Sequence, residues 1–403
     1  MTEETLRCRK LISDYAKANY KLMLREPDGQ LKHRFIVPGS VYSNSLWDWD
    51  SWLTDIALRG IEGIDGDELA TYEKGCILNF AEHTDEKGRV PISIMPSSTL
   101  PDFSTNPDTN IHKPCFAQHA LFVCDAAGDS EWVRDAFPAI ERYLGFYREN
   151  AYHEESGLYV WIDDCAIGVD NDPCTFYRPK RSSASIYLNC LMYRELFAAA
   201  ELAGRLGRAD AEEKYGYQAD ELAERIRDLL WDQRDGFFYS ADVNLVPVDT
   251  TSWLHSGCPR HWPALIQRIG VWSGFLPMWA EIATRDQAAA MVRNCLDEST
   301  FNAPFGIRSL SKAEKMYALL KTGNPSCWLG PVWGITNYMV YDGLKKYGYE
   351  KEAAELAEKT IRMFGRDLEN TGVLHEYYHP ETGEPMNNPG FQNWNLLSLL
   401  MEC

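Results

Sequence analysis

The chain has 403 residues, 59 of them acidic and 40 basic, for a formal net charge of −19. That balance excludes a phosphate-backbone partner, which needs a basic stripe, and disfavours an anionic membrane surface. With 25% charged and 45% hydrophobic residues the composition is that of an ordinary globular fold, not of disorder, collagen or a coiled coil.

The N-terminal stretch holds no apolar segment suited to a secretory leader, and nowhere do about 18 apolar residues run together. The eleven cysteines are scattered and form no CxxC, which points to reduced thiols and a cytoplasmic protein. The histidines show no HExxH spacing, and GxGxxG, GxxxxGK[ST] and GxSxG are all missing. No metal and no organic cofactor is therefore expected.

In chain order, helical periodicity marks residues 63–83, 115–127, 131–150, 183–205, 209–232, 276–297, 329–347, 350–366 and 391–401. Between them recur short returns, each a glycine followed by apolar or aromatic residues: Gly39, Gly88, Gly157, Gly236, Gly306 and Gly372. Successive returns lie 49, 69, 79, 70 and 66 residues apart, and a unit of about 70 residues has room for two helices and their connections. Six such hairpins predict an all-α, closed (α/α)6 toroid of about twelve helices, read as a single catalytic domain over 1–403, with its pocket at the end carrying the returns. The returns at Gly157 and Gly372 would then face each other across it.

Aromatic residues make up 12% of the chain, and tryptophan recurs beside aspartate. Residues 47–52 hold Trp47, Asp48, Trp49, Asp50 and Trp52. Indoles stack on the apolar face of a sugar ring and carboxylates accept from its hydroxyls; one Asp can cap the helix expected from about Ser51 while the other binds. The second segment carries Asp163, Asp164, Asp170 and Asp172 with no intervening Lys or Arg, though Asn171-Asp172-Pro173 also reads as a plain turn. In the third, Glu376 stands between His375 and Tyr377 ahead of a turn at 380–383. In the fourth, Trp328, Trp333 and Asn337 surround a Gly330-Pro331 helix start. Two carboxylates on opposed returns suit glycoside hydrolysis, one acid protonating the leaving oxygen and one base activating water.

In this order, the segments at 47–52, 112–118, 168–171, 275–280, 304–307, 330–338 and 376–384 resemble glycoside hydrolase family 63, most nearly its small bacterial mannosylglycerate and glucosylglycerate hydrolases. The resemblance spans nearly the whole chain. It implies an (α/α)6 inverting exo-α-glycosidase, with Asp170 as general acid and Glu376 as general base. By the same resemblance Trp47, Asp48, Asp50, Gln118, Trp333 and Asn337 match positions near the sugar pocket, and Trp49 and Tyr377 beside them are further candidates for substrate binding. The sequence departs from the family pattern at Asp172-Pro173-Cys174, where Arg178 or Arg181 would supply a missing cation, and at Tyr187-Leu188-Asn189, where the family carries an Asp in place of Tyr187.

The expected substrate is a small α-glucoside or α-mannoside, neutral or linked to glycerate. A glycerate would call for a cation, with Arg178, Lys180, Arg181 and Arg308 as candidates. Asp163, Asp164 and Asp172 are the candidate neighbours to tune the acid. Trehalase-like hydrolysis shares this fold and chemistry. A sugar epimerase on the same scaffold would instead use histidines, with His255, His261, His375 and His379 available, and a non-catalytic carbohydrate-binding protein would bind without cleavage. No nucleic-acid or membrane partner is expected, and a homo-oligomer is left open.

Overall fold

Eleven α-helices and a long C-terminal 3-10 helix alternate between two concentric rings in the computed structural model, which describes residues 2–245, 262–320 and 325–403. In chain order the helices are α1 (Glu3–Asn19), α2 (Asp48–Leu58), α3 (Gly66–Glu82), α4 (Phe116–Ala127), α5 (Phe137–Asn150) and α6 (Ile186–Arg205). There follow α7 (Ala209–Leu229), α8 (Leu276–Trp279), α9 (Arg285–Leu296), α10 (Gly334–Lys346), α11 (Glu350–Thr371) and the 3-10 helix Asn393–Leu400. α2 packs on α4, α4 on α6, α6 on α8, α8 on α10, and α10 on the 3-10 helix, which returns to α2. That circuit is the closed inner ring. α3, α7 and α11 pack against α4, α6 and α10 from outside, and α1 covers α11. The fold is the (α/α)6 toroid that the hairpin count predicted.

Burial follows the helical period. α11 hides Ala353, Leu356, Ala357, Thr360, Ile361, Phe364 and Leu368 while its Glu and Lys residues face out. α1 buries only Thr5, Cys8, Ile12 and Ala16, a stripe one residue wide among charges. So narrow a stripe explains why periodicity alone passes this helix over.

Elsewhere boundaries moved for local reasons. The helix expected over 276–297 is broken after Trp279, because Thr284 and Gln287 form a reciprocal capping box that starts α9 afresh. The first residues of the segment at 329–347 are extended instead, with Val332–Trp333 paired antiparallel to Tyr377–Tyr378. α2 starts at Asp48, ahead of Ser51.

The six glycines of the returns all have positive φ, between 63° and 138°. Those at 157, 236 and 306 turn two-residue hairpins: Tyr152–His153 with Leu158–Tyr159, Trp231–Asp232 with Phe237–Phe238, and Asn302–Ala303 with Gly306–Ile307. No helix among the described residues is long and apolar enough to cross a membrane.

Candidate active site

The inner helices α2 and α10 begin at one end of the ring, and a cavity opens there. It encloses about 120 Å3, or about 570 Å3 with its mouth. Asp50, Asp170 and Glu376 supply its carboxylates, and Trp47, Trp49, Trp328, Trp333 and Trp394 its walls. Lys113 is the one basic residue among its described lining.

Glu376 reaches the cavity because the Val332–Trp333 strand pairs with Tyr377–Tyr378, aligning Trp333 with Tyr377. Asn387 clamps it twice: its carbonyl accepts the Glu376 N–H at 3.0 Å, and its Nδ2 donates to Oε2 at 3.1 Å. The Tyr42 hydroxyl donates to Oε1 at 3.4 Å. Burial pushes the Glu376 carboxyl up to about 7; the Asn387 bond opposes this, and the nearby charge of Asp170 adds to it.

Asp170 is half-buried on a loop tied down from several sides. Asn110 Nδ2 donates to Asp163 Oδ1 at 2.8 Å and to the Cys165 carbonyl at 2.8 Å. Asn171 Oδ1 accepts the Trp328 N–H at 2.7 Å, fastening the residue next to Asp170 to the aromatic wall. Gly168 has φ 89°, and a Cβ there would stand 3.0 Å from Trp49 and 3.2 Å from the Lys113 stem. Only a residue without a side chain lets this loop lie so close. Gly168→Ala is therefore expected to lower kcat/KM by about tenfold to a hundredfold, since small displacements of a reacting group are costly. Steady-state kinetics beside a melting curve separates this from unfolding, and unchanged kcat/KM would refute it.

The two aspartates at the head of α2 divide the work. Asp48 is fully buried, paired with Lys113 Nζ at 2.8 Å, and accepts the backbone N–H of Trp49 at 2.7 Å and of Lys113 at 2.8 Å. It fixes the helix start and the ammonium and does not reach the cavity. Asp50 does reach it, accepting from Asn393 Nδ2 at 2.6 Å. Burial pushes Asp50 up to about 8; Lys113 opposes this, and Asp48 and Glu376 add to it.

The aromatic wall is stacked before any ligand arrives. Trp328 lies 3.9 Å from Trp333 at 7°, and Trp333 lies 4.8 Å from Tyr377. Trp47 Nε1 and Trp394 Nε1 are buried donors with no side-chain or backbone partner. Stacked π-faces, orphan donors and carboxylate acceptors together match what a sugar ring presents.

Of the residues that the sequence pointed to, Trp47, Trp49, Asp50, Asp170, Trp328, Trp333 and Glu376 line this cavity. The others are drawn off by definite partners. Gln118 Nε2 donates to the Pro114 and Leu191 carbonyls at 2.6 and 3.1 Å, farther along α4. Asn337 ties Ile307 N–H at 2.8 Å to Thr360 at 2.9 Å inside the wall. Tyr377 stands behind Trp333, its hydroxyl donating to the Pro325 carbonyl at 2.7 Å.

The expected cations are likewise engaged: Arg178 with Asp242, Lys180 and Arg181 with Asp108, and Arg308 with Glu381. Asp163 accepts from Thr109 and Asn110, Asp164 from the Tyr177 N–H, and Asp172 from the Cys174 N–H, so all three build the turn. Burial pushes Asp172 up to about 6. His375 pairs with Asp367 at 2.9 Å, and His379 Nδ1 accepts from the Glu381 and Thr382 N–H groups, so neither lines the cavity. His255 and His261 lie outside the described residues.

Sequence reasoning missed Tyr42, Asn387, Phe391, Asn393 and Trp394. All five come from the Gly39 return or the last seventeen residues, where 391–401 reads only as one more helix. Lys113 stood within a quoted segment without a role. Among the described residues no cluster of His, Cys, Asp or Glu could hold a metal ion.

Comparison with known proteins places this geometry. The family model described as "Mannosylglycerate hydrolase MGH1-like glycoside hydrolase domain" matches residues 5–394. Mannosylglycerate hydrolase MGH1 of Selaginella moellendorffii is 25% identical over 434 aligned positions, covering 93% of this chain and 80% of that protein. Among solved structures, the GH63 mannosylglycerate hydrolase from Thermus thermophilus in complex with glucose superposes with a TM-score of 0.71 at 18% identity, over 95% of this chain and 98% of that one. Neutral trehalase Nth1 from Saccharomyces cerevisiae gives 0.66 at 16%, over 96% and 79%. With nearly its whole length matched, the chain belongs to the MGH1-like glycoside hydrolases of family 63 and is a glycosidase.

Proposed function

We propose that this glycosidase is an inverting, exo-acting enzyme for small α-glucosides or α-mannosides of the disaccharide or glycosylglycerate type. The observation that carries the reading is the meeting of Asp170 and Glu376 in one cavity, near enough for the charge of Asp170 to raise the Glu376 carboxyl. Asp170 donates its proton to the glycosidic oxygen as the bond to the anomeric carbon breaks. Glu376 takes a proton from water, whose oxygen attacks that carbon from the opposite face. Carboxylates and π-faces stabilise the oxocarbenium-like transition state.

A base must be ionised to work. Because burial lifts Glu376 to about 7, kcat/KM is expected to fall as pH drops through about 7. An acid limb near 4.5, the ordinary carboxyl range, would assign the base elsewhere.

The aglycone is the open half of the reading. The names of the relatives point to glycerate. In this chain the lining ammonium, Lys113, is already paired with Asp48. Proton NMR during hydrolysis of mannosylglycerate, glucosylglycerate and neutral α-disaccharides decides both questions. Initial release of the β-anomer supports inversion, release of the α-anomer rules it out, and relative kcat/KM ranks the aglycones.

A further inference from the structure

Gln118 lines a different cavity, of about 470 Å3, farther along the inner ring. α2 contributes Trp52 and Ile56 to it, α4 Gln118 and Phe122, and α6 Arg194 and Phe197. Ile56 lies six residues beyond Asp50, about 9 Å down the same helix. The two cavities share no lining residue, so the lower one is not a continuation of the upper.

Gln118 is 6% exposed. Its amide nitrogen is spent on two backbone carbonyls, which fixes the amide plane and leaves Oε1 buried with no partner. A buried acceptor held in that way calls for a donor from a ligand or water. Arg194 is held in place by Trp279: its guanidinium lies 4.3 Å over the indole ring, and Nη1 donates to the Trp279 carbonyl at 3.2 Å. Phe197 is 51% exposed at the same cavity, an apolar face without cover. Glu281, also in the lining, holds φ at 60°, a strained value for a residue with a side chain.

A ligand for this place needs a donor for Gln118, an acceptor for Arg194 and an apolar face for Phe197. A pyranose has all three, because each hydroxyl both donates and accepts and the ring carries a C–H face. An anionic ligand would meet Arg194 but also the exposed carboxylates of Asp125 and Glu281, which favours a neutral one. We propose that the lower cavity is a second, non-catalytic site for a neutral monosaccharide-sized polyol. It stands apart from the catalytic reading and does not require it.

Methyl NMR tests it on the intact protein, because Ile56 lines the lower cavity and Ile92 the upper. Titrating isoleucine-methyl-labelled protein with D-glucose and with D-mannose is expected to shift Ile56 saturably. Phe197→Ala weakens that response about threefold to tenfold, the worth of an aromatic contact. Gln118→Leu, which keeps the volume and removes the acceptor together with the two bonds to the Pro114 and Leu191 carbonyls, weakens it too; a melting curve accounts for those two lost bonds, and in both variants the Ile92 response and kcat stay as they were. If Ile92 moves and Ile56 does not, the lower site is wrong while the catalytic reading stands. If Ile56 moves and Ile92 does not, the lower site stands and sugar binding at the catalytic pocket is in question. An Ile56 response unchanged in both variants overturns the proposal.

Discussion

Asp170→Asn and Glu376→Gln are each expected to cut turnover of a good α-glycoside by about 10²–10⁴-fold, the usual contribution of a positioned acid or base. The two changes differ in a second readout. In the folded protein burial raises the Glu376 carboxyl from its ordinary 4.5 to about 7. The native state therefore holds this proton more tightly than the unfolded chain does, and stability drains away as pH rises from about 4.5 to about 7. Glutamine does not ionise and escapes that loss. Glu376→Gln is thus expected to be inactive yet more stable than the parent above pH 7, by up to about 3 kcal/mol, and no more stable than it at pH 4. Chemical unfolding at the two pH values, beside initial rates, checks both halves. Near-parental turnover in either variant removes the assignment. A dead Glu376→Gln variant with no pH-dependent gain keeps the catalytic role and discards the burial account.

Lys113→Met should carry the largest penalty to stability. Its ammonium and the Asp48 carboxylate are 2% and 0% exposed and lie 2.8 Å apart. Removing one member of a buried pair leaves the other charged and unpaired, at a cost of about 3–5 kcal/mol. An exposed pair would give about 0–1 kcal/mol. Urea unfolding distinguishes these, and a loss within the second range would mean that water reaches Asp48. Adding Asp48→Asn to Lys113→Met should recover part of the loss, because the orphaned charge goes while one of the two backbone N–H groups, which bind different oxygens of Asp48, keeps an acceptor in the amide oxygen. Activity should fall as well. Lys113 packs beneath Gly168 and opposes the upward shift of Asp50, so the acid loop and a lining carboxylate both depend on it.

Much of the architecture was legible because it rests on short-range rules. Amphipathic periods announced most helices, and glycines at regular intervals announced the hairpins between them. Where boundaries slipped, a local signal had been outweighed or left unread. Thr284 and Gln287 spell a capping box inside what looked like one long helix. Val332 and Trp333 pair with Tyr378 and Tyr377, more than forty positions away, and no local pattern reports such a partner.

Carboxylates and indoles crowded into a few returns, together with the family resemblance, pointed by sequence alone to a toroid with sugar chemistry. Tertiary structure decided which of those side chains meet. Asp48 and Asp50 are two residues apart and alike in composition, yet one is locked to Lys113 inside the protein and the other faces the cavity. Gln118 turned toward the lower cavity because two backbone carbonyls claim its amide, and Asn337 went into the wall for a similar reason. Phe391 and Trp394 entered from a segment without any marked motif, since closing the ring brings the C-terminal residues beside α2, and Tyr42 came in from the Gly39 return, which spacing had marked only as a turn. Composition and periodicity depend on neighbours along the chain. Membership of a pocket depends on contacts across the ring and on where each polar side chain finds its partner, and those are settled only when the chain has closed on itself.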